Sequence, residues 1–191
     1  MRIVKYICVI LLAALLVACS RDKEPAEAAI KAGQQAVEQV RGEAAKYAPD
    51  QLKQLEDALK AAQDNFAKKE YKAALDAAGG LAAKAQDVAK AAAAKKAELT
   101  KSWEDMSAGI PQMMDAIKSR LDILAKAKKL PASLDKDKLG ALTSGYDEVM
   151  KQFQTAKDAA SAGDLDKAIE AGNAIGQKGM EIAETLGLKQ Q

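Results

Sequence analysis

The chain is 191 residues long, and with 29 basic residues, 27 acidic residues and no histidine its formal net charge at pH 7 is +2. Such a balance argues against a nucleic-acid binder, which needs a concentrated basic face. Aromatics make up 4% of the residues, charged residues 29% and alanine about one in five, the composition of long, closely packed helices in one domain or two small ones.

Residues 1–18 open with Arg2 and Lys5 and continue as an apolar run from Ile7 to Val17, the charged and apolar regions of an export signal. The run is shorter than the roughly 18–20 residues that span a bilayer as a helix, so a cleaved signal is expected rather than a permanent span. It ends in Leu16-Val17-Ala18-Cys19, which resembles the lipobox of bacterial lipoproteins: an aliphatic residue, a tolerant position, a small residue, then the cysteine that is lipidated and becomes residue one. The resemblance implies cleavage between Ala18 and Cys19 and acylation of Cys19, with two or three chains holding the protein to a lipid membrane. By the same resemblance Ser20, standing where Asp would favour retention in the inner membrane, points to the periplasmic face of the outer membrane.

Loss of residues 1–18 removes Arg2 and Lys5 and no acid, leaving 27 residues of each sign. Cys8 departs with the signal and Cys19 is consumed by lipid, so no disulfide is expected. Residues 19–24 then form a lipidated tether, whose polar part from Ser20 to Glu24 reaches under ~20 Å.

From residue 25 onward the apolar positions fall at steps of three and four. Ile30, Gly33, Val37, Val40, Ala44 and Tyr47 make one series, and Leu52, Leu55, Leu59, Ala62 and Phe66 a second. The longest runs through Leu139, Leu142, Tyr146, Val149, Phe153, Ala156 and Ala160. Pro49 and Pro111 suit first helical turns, Pro131 with Ser133 and Asp135 marks a stop and a start, and Gly163-Asp164 reads as a C-terminal glycine followed by an N-cap. Six helices are expected, near 25–47, 50–68, 71–108, 111–129, 135–162 and 164–187.

Residues 52–88 overlie 146–182 without gaps. Leu52 meets Tyr146, Leu55 meets Val149, Leu59 meets Phe153, Ala62 meets Ala156, Leu75 meets Ile169, Leu81 meets Ile175 and Val88 meets Ile182. The pattern predicts an all-α fold of two tandem αα-hairpin repeats, residues 25–108 and 109–191, forming an elongated helical bundle with one long central helix. Lys69 stands where the second copy has Gly163, so the first turn should fit a left-handed conformation less comfortably.

Tyr47-Ala48-Pro49 leading a Leu-rich helix and Glu70-Tyr71 opening an Ala-rich one resemble the DUF4398-like helical domain of bacterial lipoproteins, over roughly residues 26–98. The turn at 69–75 is also locally similar to tetratricopeptide repeats, although the 94-residue offset is far from their 34-residue period. Neither resemblance brings catalytic residues, cofactors or metals.

Without histidine, and with no free thiol once Cys19 is acylated, ordinary zinc sites, haem attachment and Ser-His or Cys-His catalysis lack their side chains. Asp135-Lys136-Asp137-Lys138-Leu139-Gly140 begins like a calcium loop but places Leu139 and Tyr146 where oxygen ligands are needed, so helix capping explains the aspartates. Glu104, Asp105, Asp115 and Asp122 alternate with Lys101, Lys118 and Arg120, as on a solvated helix. Lys126, Lys128 and Lys129 fit a helix C-terminus, with contact to anionic headgroups as the alternative. Met106, Met113 and Met114 surround Ile110-Pro111 near Trp103, the only tryptophan; these four are either core at the repeat junction or an adaptable partner surface. Gly172, Gly176 and Gly179, with Ala78, Gly79 and Gly80 in the first copy, are read as close-packing sites. The expected function is a non-enzymatic envelope lipoprotein whose hairpins serve as scaffold or adaptor for another envelope protein, with small apolar ligand or lipid binding as the alternative.

Overall fold

The computed structural model describes residues 21–188. The signal peptide, Ala18, Cys19 and Ser20 lie outside the described residues. Six helices follow in order: α1 (Lys23–Tyr47), α2 (Pro49–Ala67), α3 (Tyr71–Ala78), α4 (Leu81–Ala125), α5 (Lys136–Ser161) and α6 (Leu165–Thr185). No strand occurs among the described residues, so the fold is all-α as the periodicity predicts. Lys23 and Glu24, expected in the tether, belong to α1.

The chain forms two compact units, dividing between Lys95 and Lys96 inside α4. In the first unit α1 buries Ala26, Ile30, Val37, Ala44 and Tyr47, and α2 buries Leu52, Leu55, Leu59 and Ala62. Ala48 alone links them, ending α1 through its N–H to the Ala44 carbonyl (2.8 Å) and preceding Pro49 at the first turn of α2. Across this one-residue link α2 packs against α1, and Pro49 costs nothing there because its missing N–H has no helical acceptor. Arg41 crosses between them, pairing with Glu56 of α2 at 3.0 Å and with Glu38 of α1 at 3.3 Å. The remaining wall is Ala74 and Ala78 of α3 with Leu81, Ala85, Val88 and Ala92 of α4.

The second unit has one core, in which Ile110, Met114, Ile117, Leu121 and Leu124 of α4 meet Val149, Phe153 and Ala156 of α5 and Ile175 and Ile182 of α6. No polar or charged residue is buried among the described residues. Apolar burial at helical spacing therefore supplies the cohesion of both units.

The two copies share burial and capping. Leu55 and Val149, Leu59 and Phe153, Ala62 and Ala156, Leu81 and Ile175, and Val88 and Ile182 are buried at matched positions. So are Ala74 and Ala168, which carry the contact instead of the half-buried Leu75 and Ile169. Each α2-type helix ends in a Schellman motif. Lys69 N–H donates to the Phe66 carbonyl and Glu70 N–H to that of Asn65, and Gly163 and Asp164 do the same to Ala160 and Ala159, all at 2.9 Å. Lys69 adopts φ 64° and Gly163 φ 77°, so the non-glycine residue does occupy the left-handed position. Asp164 then caps α6 by accepting from the Lys167 N–H at 3.4 Å, and Asp135 caps α5 by accepting from Lys138 at 2.8 Å.

Two breaks differ from expectation. Pro111 lies inside α4 and marks neither a helix start nor a unit boundary; it is exposed while its neighbour Ile110 is buried, so the apolar stripe continues past it and holds the helix together. The interruption falls instead at Gly79 and Gly80, where two residues of low helix propensity adjoin. Gly79 keeps near-helical angles (φ −61°, ψ −22°), and α3 runs almost directly into α4. Lys126, Lys128 and Lys129 follow the end of α4 rather than occupying its last turn, because the buried stripe ends at Leu124.

Candidate interaction groove

In the second unit α4 and α6 lie side by side with glycines at the contact. A β-carbon at Gly172 would stand 3.0 Å from the Met106 sulfur and 3.7 Å from the Trp103 ring, and one at Gly179 would stand 2.8 Å from the Met113 sulfur. A step of seven on α4 thus matches a step of seven on α6 in the same sense, so the two helices run parallel there. Glycine lets the long methionine side chains lie across α6 where any other residue would displace them.

Between these contacts runs an open groove of about 580 Å³. Met106, Gly109, Ile110 and Met113 form its α4 side, and Gly172, Asn173, Gly176, Gln177 and Met180 its α6 side. Met180 is 42% exposed. The surface is apolar and deformable, with two amides able to donate or accept.

The four residues expected as a partner surface separate. Met106 and Met113 line the groove. Trp103 packs beside it, its ring 6.3 Å from that of Phe153 at 38°, with the Lys157 ammonium 5.8 Å from the Phe153 centroid. Met114 is 1% exposed and belongs to the core, since one residue along a helix turns the side chain by about 100°. Gly172 and Gly179 are close-packing sites, whereas a β-carbon at Gly176 would meet nothing within 4 Å; Gly176 is groove floor. Gly80 is equally open, and Gly79 meets only carbonyls of its own turn, so that pair serves the α3–α4 step. In the first unit the close approach is at Gly33, against Leu81 at 2.5 Å.

Other candidate groups are ordinary helix surface. Asp105 pairs with Lys101 at 3.0 Å and Asp122 with Lys118 at 3.1 Å, both exposed. The Asp122 hydrogen bond holds Lys118 above its usual pKa of 10.5. Asp135 is engaged as a helix cap. Among the described residues no helix is long and apolar enough to cross a membrane. Comparison with protein-family models, with curated proteins and with solved structures finds no match to this chain.

Proposed function

We propose that this protein is a lipid-anchored envelope lipoprotein, held at the periplasmic face of the outer membrane through acylated Cys19, and that it acts there as a non-catalytic helical adaptor for a second envelope protein. The observation that carries the reading is the Leu16-Val17-Ala18-Cys19 sequence following a short basic and apolar segment. The methionine-lined groove supports the adaptor half: thioether side chains repack against apolar partner residues at little cost, and Asn173 and Gln177 offer orienting hydrogen bonds. The absence of histidine and, after acylation, of a thiol agrees with a binding role.

The groove's volume also favours a second reading, since about 580 Å³ falls in the range of small-molecule sites. One lipid or apolar ligand is the alternative occupant. A photocrosslinking side chain at Asn173, activated in intact cells, separates the two. The adaptor reading expects a discrete protein adduct of reproducible mass. Adducts with lipid alone would transfer the groove to the second reading.

A further inference from the structure

The two Schellman turns have the same geometry and different chemistry. At matched positions the first copy carries Lys68, Lys69 and Lys72 where the second carries Ala162, Gly163 and Asp166. Lys69 occupies the left-handed region at φ 64°, a conformation that glycine enters freely and that other residues hold only against strain. All three lysines are exposed. Tyr71 opens α3 beside them, half-buried, its ring edge-on to Phe66 at 5.2 Å.

The fold places this turn at the anchor end of the first unit. Asp22, immediately before α1, lines the same depression of about 540 Å³ as Lys69, Tyr71, Lys72 and Asp76. Cys19 precedes Asp22 by three residues, at most about 11 Å of chain. A lipid on Cys19 therefore brings the bilayer surface within reach of the turn.

We propose that the α2–α3 turn is a headgroup-contacting surface, in which Lys68, Lys69 and Lys72 meet the phosphates of an anionic bilayer and Tyr71 sits at the interface. The proposal rests on the reading of Cys19 as the lipid anchor. Asp22, Glu70 and Asp76 stand close by and match the three lysines in number, so the contact depends on the anchor to hold the turn, and the lysines in it, at high local concentration beside the headgroups. Lysine at the left-handed position then has a reason: it trades fold stability for a cation at the membrane.

The test separates this surface from the anchoring of the natural protein. The chain from Cys19 onward contains every described residue, and its single thiol can be coupled to a maleimide lipid in vesicles, whatever happens to Cys19 in cells. Lysine acetylation by a water-soluble reagent is read by mass spectrometry on vesicles of phosphatidylglycerol with phosphatidylcholine and on phosphatidylcholine alone. Lys68, Lys69 and Lys72 are expected to react about fivefold more slowly on the anionic vesicles, and Lys46, near the other end of α1, at an unchanged rate. Equal rates on both vesicles, or equal protection of Lys46, would overturn the proposal. In Lys69→Gly, expected to fold more stably, protection of Lys68 and Lys72 should weaken; undiminished protection would overturn the role given to Lys69. Failure of the natural chain to fractionate with membranes would instead overturn the anchor reading.

Discussion

At the scale of single residues, backbone conformation and the space beside a missing β-carbon decide most. Lys69 and Gly163 end equivalent helices with equivalent hydrogen bonds, one against its steric preference and one with it. Lys69→Gly is expected to raise stability by about 1 kcal/mol, and Gly163→Lys to lower it by a similar amount, measured by urea denaturation. Gly33 and Gly176 give the opposite contrast. A methyl at Gly33 would meet the buried Leu81, including its β-carbon at 3.2 Å, so overpacking outweighs the gain in helix propensity and Gly33→Ala should destabilise by about 1 kcal/mol. Gly176→Ala meets nothing and should stabilise by up to ~1 kcal/mol. The mismatch at 69 and 163 was legible in the sequence because a gapless overlay compares positions directly. The difference between Gly176 and Gly179 was not, because spacing alone does not say which part of a helix face a neighbour covers.

At the scale of helices, period and punctuation were both informative until they disagreed. The three-and-four spacing located α1, α2, α5 and α6 but missed the division of α3 from α4, and Pro49, Asp135 and Gly163-Asp164 fixed ends where a local signal coincided with the end of an apolar stripe. At Pro111 the local signal lost to packing: Ile110, Met114, Ile117, Leu121 and Leu124 form one buried stripe across it, and that burial offsets the missing hydrogen bond. Pro111→Ala is therefore expected to raise stability by about 1–3 kcal/mol with no rearrangement of the core, checked by thermal melts and far-ultraviolet dichroism. Surface charge contributes less. Hydrogen bonds from Lys53, Lys118 and Lys178 to Asp57, Asp122 and Glu181 raise the pKa of each lysine above 10.5. Groups raised in this way favour the fold fully below the unfolded value and cease to do so as pH climbs through the folded one. They are exposed and screened by salt, so 1 M NaCl at pH 8 should shift Tm by only about 2 °C.

At the scale of the whole chain, the stretch 93–98 is exposed throughout, between the buried Ala92 and Leu99. With Ala, Lys and Glu as its residues it stays helical by propensity, without a face committed to either core. Ala97→Pro should accordingly leave both units folded, with hydrogen-exchange protection retained at Leu55 and at Ile175; joint loss of protection would mean that the units fold as one. The groove was half legible: methionines near Trp103 drew attention to α4, while its α6 side of Asn173, Gln177 and Met180 follows from pairing two helices far apart in sequence. The central claim, attachment through Cys19, is tested most directly by expressing the natural chain and Cys19→Ser in a Gram-negative host and washing the membranes with high salt. The account predicts that the natural chain stays with the membrane, at a mass consistent with loss of residues 1–18 and gain of acyl chains, while Cys19→Ser gains no acyl chain and keeps residues 1–18. An unacylated N-terminus on the natural chain, or the same processed mass for both forms, would contradict it.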